Sequence, residues 1–572
     1  MQDSPATLAR YGLPAILLIA ALARLPWLAS VPPPLNQDEA SRGYDAWALL
    51  ETGADRRGES WPFFLESFGP GDFTAALSTY LTIPFVALLG PTVTAMRLPC
   101  ALLGIATVAA IFGLVRRWMG VPAALVAGIV LALNPWHISL TRTAHEAAFA
   151  PFFLATALWA WQRAGLLLRP AGCATDELPD RPSTVWAALG GLLMGGHAWV
   201  YPATRLFTPL FVAASLGIGW RHFIELGKAR AGRRVLLAAA AGIVIGTAPL
   251  WITALTHPER LAARARATLI FAKPLPPSEM LLKFAGNLAK NIDPRYLFWQ
   301  CDEMSGVTIP YVGQHLLVLA PLLIVGMARL LLNAHRSTWD RWILAWLFLA
   351  LIPAAICRDW NPHALRTIGG LAAYPVIMAY GAMAIGERLR HWPTAKRTLT
   401  AGVATLALAA NIVHAAYRYG WEFRIAAEPG YQNTLLRALE VAAEHSEEAD
   451  FILVTNRSNQ PYIYVLLLEP IPPTMLAEIP TVIVNYPHAF HEVLRLGKYY
   501  FAPHDLKEAL PEVKTTFDRA FGALPPSAQG LVVETRGRFK GGRILATIPC
   551  SDRRRLDDDF EVRWWSPGEG RQ

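Results

Sequence analysis

Eleven apolar runs, most of them close to the length of a membrane-spanning helix, recur along this 572-residue chain. That pattern rules out a single water-soluble core, because a helix needs about 20 largely apolar residues to cross a bilayer. The runs are Tyr11–Ala29, Met96–Val115, Val121–His137, Ala147–Leu167, Val185–Val200, Thr204–Trp220, Val235–Leu255, His315–Leu332, Trp342–Ile356, Ile368–Gly386 and Leu399–Tyr417. Charged residues make up 17% of the chain, well below the roughly 25% of soluble domains. The first run is too long for a cleaved signal peptide and lacks a small-residue cleavage site, so it reads as a span. Ala75–Leu89 is apolar but short and contains Pro84.

Loop charge sets the expected orientation. With Ala75–Leu89 left uncrossed and the N-terminus cytoplasmic, the inner loops collect Arg116, Arg117, Arg169, Arg181, Arg221, Lys228, Arg230, Arg233, Arg234, Arg336, Arg341, Arg388, Arg390, Lys396 and Arg397. The short outer loops hold only Arg142, Arg205, Arg358 and Arg366. This is a positive-inside bias. It also explains the net charge of +9 by membrane orientation and not by nucleic-acid binding.

The expected fold is therefore a multi-spanning α-helical membrane protein of about eleven helices over 1–419. A soluble extracytoplasmic α/β domain follows over 420–572. In that domain β-like runs (Phe451–Thr455, Thr481–Val484, Leu531–Glu534, Ile544–Ile548) alternate with helix-like ones (Tyr431–His445, Asp505–Glu512). Two long loops, about 31–94 and 257–310, fall on the outer face, the second suited to an interfacial helix. The five cysteines lie far apart with no metal-ligand spacing, which predicts neither a disulfide framework nor a metal knot and leaves open a single Cys301–Cys357 bridge.

Three outer segments carry candidate chemistry. The first loop opens Pro32-Pro33-Pro34-Leu35-Asn36-Gln37-Asp38-Glu39, followed by Arg42, Tyr44 and Asp45. Prolines end the helix before it, and a carboxylate at the membrane surface can accept or orient a proton. The plain alternative is a helix N-terminus, where acids suit the dipole. The second segment is Asn134-Pro135-Trp136-His137 through Arg142, His145 and Glu146. An acid at the edge of a span must be paired or wet: it is either ion-paired with Arg142 or a second active carboxylate. The third is Arg358-Asp359-Trp360-Asn361-Pro362-His363-Ala364-Leu365-Arg366, where His363 and Arg366 are spaced to share a side. Arginine suits phosphate; the alternative is snorkelling. Mid-span charges, which an ion pathway requires, are nearly missing.

With these residues in view the chain resembles the lipid-carrier-dependent glycosyltransferases of the GT-C fold, a family that includes protein O-mannosyltransferases and lipid A aminoarabinose transferases. Four stretches carry the likeness: Leu35-Asn36-Gln37-Asp38-Glu39 through Tyr44; Trp61-Pro62-Phe63-Phe64-Leu65-Glu66-Ser67-Phe68-Gly69 to Tyr80; Asn134 through Glu146; and Pro362 through Arg366. The resemblance implies a catalytic acid at Asp38 with Glu39 beside it, and a second acid at Glu146. It places the His363/Arg366 motif near a carrier phosphate, with Arg42, Tyr44, Arg142 and His145 as further substrate contacts. It also implies interfacial helices in the first loop.

The implied activity is transfer of a sugar from a polyprenyl-phosphate carrier to a lipid, glycan or protein acceptor. The reaction would run with inversion at the outer face of a bacterial cytoplasmic membrane. No cofactor is indicated, and the sequence leaves open a divalent cation that Asp302 and Glu303 could hold with Asp38 or Glu39. One departure stands out. Where relatives carry a Lys-Pro-Pro or His-Pro-Pro element, this chain has Thr74-Ala75-Ala76. That keeps a second reading open, a non-catalytic polyprenyl-lipid-binding or flippase-like protein.

Overall fold

The computed structural model describes residues 5–69, 72–170, 183–272, 275–300, 308–455, 458–484, 491–502, 518–519, 521, 524–525, 527–552, 555 and 558–566. The chain divides into two compact units. Unit 1 is residues 1–28 and 97–420; unit 2 is 29–96 and 421–572. One division lies at residue 420. Residues 29–96, read from sequence as part of the membrane region, group with the C-terminal segment.

Every apolar run is helical over most of its length. Met96–Val115 and Val121–His137 fall largely in one 40-residue element, Val93–Ala132, broken at Gly120, where φ is 81°. Only glycine enters that conformation without strain. The element's part before that break, 93–119, is about 40 Å long at 1.5 Å per residue, more than the apolar thickness of a bilayer. Among the described residues three helices are long and apolar enough to cross a membrane singly: Val93–Ala132, Ile368–Leu389 and Thr394–Ala426. Arg230–Gly246 and Ala248–Thr256, bent by 46°, form a fourth when taken together.

Close helix contact in unit 1 rests on small residues. A Cβ on Gly191 of helix Thr184–Val200 would lie 2.2 Å from the Ala239 carbonyl oxygen, and one on Gly242 of helix Arg230–Gly246 2.2 Å from that of Ala188. The helices touch backbone to backbone, the packing that apolar surroundings favour when burial from water gives no drive. In the second long loop, helix Pro277–Ile292 leaves Leu281 and Leu282 exposed beside Lys283, the composition of an interfacial helix.

Unit 2 begins with helix Gln37–Thr52, then the antiparallel pair β1 (Phe64–Glu66) and β2 (Phe73–Ala75), then helix Leu77–Leu89. That last helix has 13 residues and contains Pro84. It spans about 20 Å, short of a bilayer's apolar core.

The C-terminal segment forms a seven-stranded sheet. Its strands are β3 (Phe451–Val454), β4 (Thr481–Val484), β5 (Glu492–Leu496), β6 (Tyr499–Phe501), β7 (Gly530–Thr535), β8 (Arg543–Ile548) and β9 (Phe560–Trp565). The order is β4-β5-β6-β3-β7-β9-β8, with β3 parallel to β6 and β7 and the other pairs antiparallel. A central parallel strand must be apolar on both faces, as β3 is. Phe451 meets Phe521 and Trp565 edge-on at 5.6 and 6.0 Å. Helices Asn433–Glu444 and Tyr462–Leu468 complete the α/β unit. The helix-like run 505–512 lies outside the described residues.

Candidate active site

Asn36 starts the helix on which the first acidic motif sits. Its Oδ1 accepts the Glu39 N–H at 2.9 Å, and Glu39 Oε2 accepts the Asn36 N–H at 3.1 Å. This reciprocal pair is a capping box. It gives buried Glu39 a structural task and satisfies two N–H groups that the first turn otherwise leaves orphaned. Asp38, the residue before it, is half-buried and makes no hydrogen bond or ion pair among the described residues. Its electrostatic neighbour is Tyr464, 1% exposed, whose hydroxyl has no hydrogen-bond partner among the described residues. Burial raises the Tyr464 phenol well above its ordinary range, and the charges of Asp38 and Glu39 raise it further. The phenol therefore keeps its proton beside the carboxylate. Nothing local to residues 35–45 points to Tyr464, which lies more than 400 positions away.

The other residues of this helix hold unit 2 together. Arg42 is buried, 7% exposed, one turn beyond Asp38. Tyr44 donates its hydroxyl to the Ile471 carbonyl at 2.9 Å and meets Trp47 edge-on. Asp45 and Arg56 form an ion pair with side chains 2% and 4% exposed. Burial pushes the Asp45 carboxyl up, and the Arg56 guanidinium beside it opposes that rise. Arg56 also donates to the backbone carbonyls of Glu66 and Ser67, tying the helix to the end of β1. Thr74 pairs with Leu65 in the β1–β2 ladder, and its hydroxyl lies 3.2 Å from that of Ser67.

In unit 1 the second motif is an internal network. Asn134 Oδ1 accepts the His137 N–H at 2.8 Å, and its Nδ2 reaches His315 Nδ1 at 2.8 Å. His137 Nδ1 lies 2.9 Å from Arg24, a fully buried guanidinium that also donates to Thr141 Oγ1 and the Ala132 carbonyl. Arg142 donates to the carbonyls of Ala23 and Pro26, at 3.3 and 2.8 Å, and lies over the Tyr419 ring. His145 Nδ1 accepts the Ala147 N–H, capping the short turn Glu146–Phe149, in which Glu146 is 4% exposed.

The third motif is a turn and not the start of a helix, so His363 and Arg366 do not stand on one helical face; the 3-10 helix begins at Ile368. Asn291 of the interfacial-type helix fixes the turn, its Oδ1 accepting the His363 N–H at 3.1 Å and its Nδ2 donating to Asn361. Asn287 donates to the Cys357 carbonyl at 2.7 Å. Arg366 is half-buried and donates through Nη1 to the Asp359 carbonyl. Among the described residues no group of three His, Cys, Asp or Glu side chains could hold a metal ion. Asp302 and Glu303 lie outside the described residues.

Residues 75–166 match the family model described as dolichyl-phosphate-mannose-protein mannosyltransferase. Among solved structures, ArnT from Cupriavidus metallidurans in the apo state aligns with a TM-score of 0.53, 12% identity and full coverage of both chains. ArnT from the same organism bound to undecaprenyl phosphate gives 0.52, 11% identity and 97% of each. The chain has the GT-C fold. No curated protein matches this GT-C chain. The archaeal oligosaccharyltransferase AglB from Archaeoglobus fulgidus, in complex with an inhibitory peptide and a dolichol-phosphate, aligns at a TM-score of 0.43 and 14% identity, over 82% of this chain and 64% of its own.

Proposed function

We propose that this GT-C protein is a membrane glycosyltransferase. It would move a sugar from a polyprenyl-phosphate carrier to an acceptor at the outer face of the membrane, with eleven crossings and the N-terminus inside. The reading rests on the fold and the family match. One observation carries the site: Asp38 is a half-buried carboxylate without a hydrogen bond among the described residues, on a helix whose cap is supplied by its neighbours.

In the proposed step the acceptor's O–H or N–H gives its proton to Asp38, and the freed lone pair attacks the anomeric carbon. The bond from that carbon to the phosphate oxygen breaks, and the lipid phosphate leaves with its electron pair. One displacement inverts the centre. The leaving group is already an anion, so no strong general acid is needed. The Tyr464 phenol stays protonated near the carboxylate. Arg366, with one guanidinium nitrogen engaged on a backbone carbonyl, is assigned to the carrier phosphate with His363. Arg142, with two donors spent on carbonyls, supports structure in this reading. Glu146 is the second candidate carboxylate. Asp38→Asn in protein reconstituted with polyprenyl-phosphate sugar is expected to abolish transfer with folding intact; retained full transfer would overturn the assignment.

Thr74 favours a second reading. Its hydroxyl faces Ser67 where relatives carry a cation, which suits a protein that binds or moves the carrier lipid without consuming its sugar. Transport of a labelled carrier with its sugar retained would select that reading.

A further inference from the structure

Helix Gln37–Thr52 opens on two side chains that its cap does not use, Gln37 and Asp38. Asp38 has its place in the proposed step. Gln37 is half-buried, and its amide is held in one orientation by a residue nearly 400 positions away, Gln432.

Gln432 Nε2 donates to the Asn459 carbonyl at 2.9 Å and to Gln37 Oε1 at 3.1 Å. A backbone carbonyl only accepts, so Gln432 must turn its NH2 group toward Asn459. The Gln37 atom that meets the same NH2 group must then be the carbonyl oxygen. The Gln37 amide is thereby fixed: its oxygen is spent, and its Nε2 has no partner among the described residues. Gln432 bears two local costs in this position. Its backbone is left-handed, at φ 51° and ψ 32°, where a residue with a Cβ is strained. Its own Oε1 is buried without a hydrogen-bond partner among the described residues, which is also unfavourable. Costs of this kind gather at functional sites.

Gln37 and Asp38 face the same stretch of chain. Gln37 does so through Gln432 on the Asn459 carbonyl, and Asp38 through the Tyr464 phenol, which feels its charge. Adjacent helical positions point about 100° apart, so the two side chains flank a bound group and do not grip one atom. In the proposed step Asp38 takes the acceptor's proton. A donor on that same nucleophile would draw off the electron pair that attacks. The Gln37 NH2 group therefore belongs to the other reactant, the sugar.

We propose that Gln37 is a specificity residue that donates through Nε2 to a hydroxyl of the transferred sugar. With its oxygen held by Gln432 the amide donates and does not accept. It takes a neutral hydroxyl and turns away an ammonium group, which has no lone pair to offer. The sugar is then a neutral, hydroxylated one and not a cationic amino sugar. This inference rests on the transferase reading and adds the class of sugar to it.

The test is equilibrium binding to the full chain in nanodiscs at neutral pH. The probes are undecaprenyl phosphate bearing mannose, the same carrier bearing aminoarabinose, and the carrier without a sugar. The parent should bind the mannose probe more tightly than the aminoarabinose probe. Gln37→Ala should weaken the mannose probe about tenfold, the worth of one hydrogen bond from a partly buried donor, and leave the sugar-free probe unchanged. Gln37→Glu presents an acceptor in place of the donor and should reverse the order of the two sugars. Gln432→Met frees the Gln37 amide to turn over and should narrow the parent's preference. Melting curves check that each variant is folded. A parent that prefers aminoarabinose, a Gln37→Ala that binds the mannose probe as the parent does, an equal loss on the sugar-free probe, or an unchanged order in Gln37→Glu each overturns the proposal. A parent that binds none of the probes takes down the transferase reading and this inference together; a parent that binds them while the Gln37 variants are indifferent takes down this inference alone.

Discussion

The Asp38 segment and the Asn134–Glu146 segment look alike as strings: each stands at the end of an apolar run, each mixes acid, arginine and aromatic residues, and each has an Asn before its acids. Their side chains meet different fates. In the second segment Asn134, His137, Arg142 and His145 each make an internal hydrogen bond. In the first, Asn36 and Glu39 satisfy the helix end between them and leave Asp38 over. Two adjacent acids thus separate into a structural one and an open one, and the proposed chemistry is assigned to the open one.

The difference can be broken experimentally, starting where the polar groups are most committed. Asp45→Asn leaves the Arg56 charge buried and unanswered, and should cost about 3–5 kcal/mol, read as a drop in melting temperature or a loss of folded yield. Asn134→Ala removes the partner of both His137 N–H and His315, and should cost about 1–3 kcal/mol by the same measurement. Tyr44→Phe loses one hydrogen bond to the Ile471 carbonyl and should cost about 1 kcal/mol. A cost near zero for all three would erase the contrast between spent and open groups.

A smaller effect depends on pH. The folded pKa of His491, lowered to about 3, lies below its unfolded value near 6.5. The unfolded chain therefore binds more protons between those limits, and the stability this group supplies is present above about pH 6.5 and lost as pH falls toward 3. His491→Gln should flatten that part of the melting-temperature profile; an unchanged slope would mean that the imidazole titrates normally.

Much of the fold was legible in the chain. Each apolar run became helix, and β3, β4, β7 and β8 fall within a residue or two of the β-like runs, because apolar continuity is a local signal. Strands β5 and β9 were not legible: Glu492 and Arg495, and Glu561 and Arg563, interrupt their apolar pattern, and only pairing partners distant in sequence make them strands. The same distance hid Tyr464 beside Asp38, Asn291 beside His363, and the Arg57–His491 contact, 434 positions apart. Asp38 itself was legible as an acid at a helix start; that its neighbour Glu39 would supply the cap was visible only as the Asn-x-x-Glu spacing.

The proposal assigns Asp38 to the reaction and Glu39 to the fold. The direct measurement is sugar transfer and melting temperature on Asp38→Asn and Glu39→Gln side by side, in reconstituted protein. Asp38→Asn should lose at least about 100-fold in transfer at an unchanged melting temperature, and Glu39→Gln should melt lower by the worth of a cap, about 0.5–2 kcal/mol, with most of its transfer retained. Full transfer by Asp38→Asn, or abolished transfer by a fully stable Glu39→Gln, would contradict it.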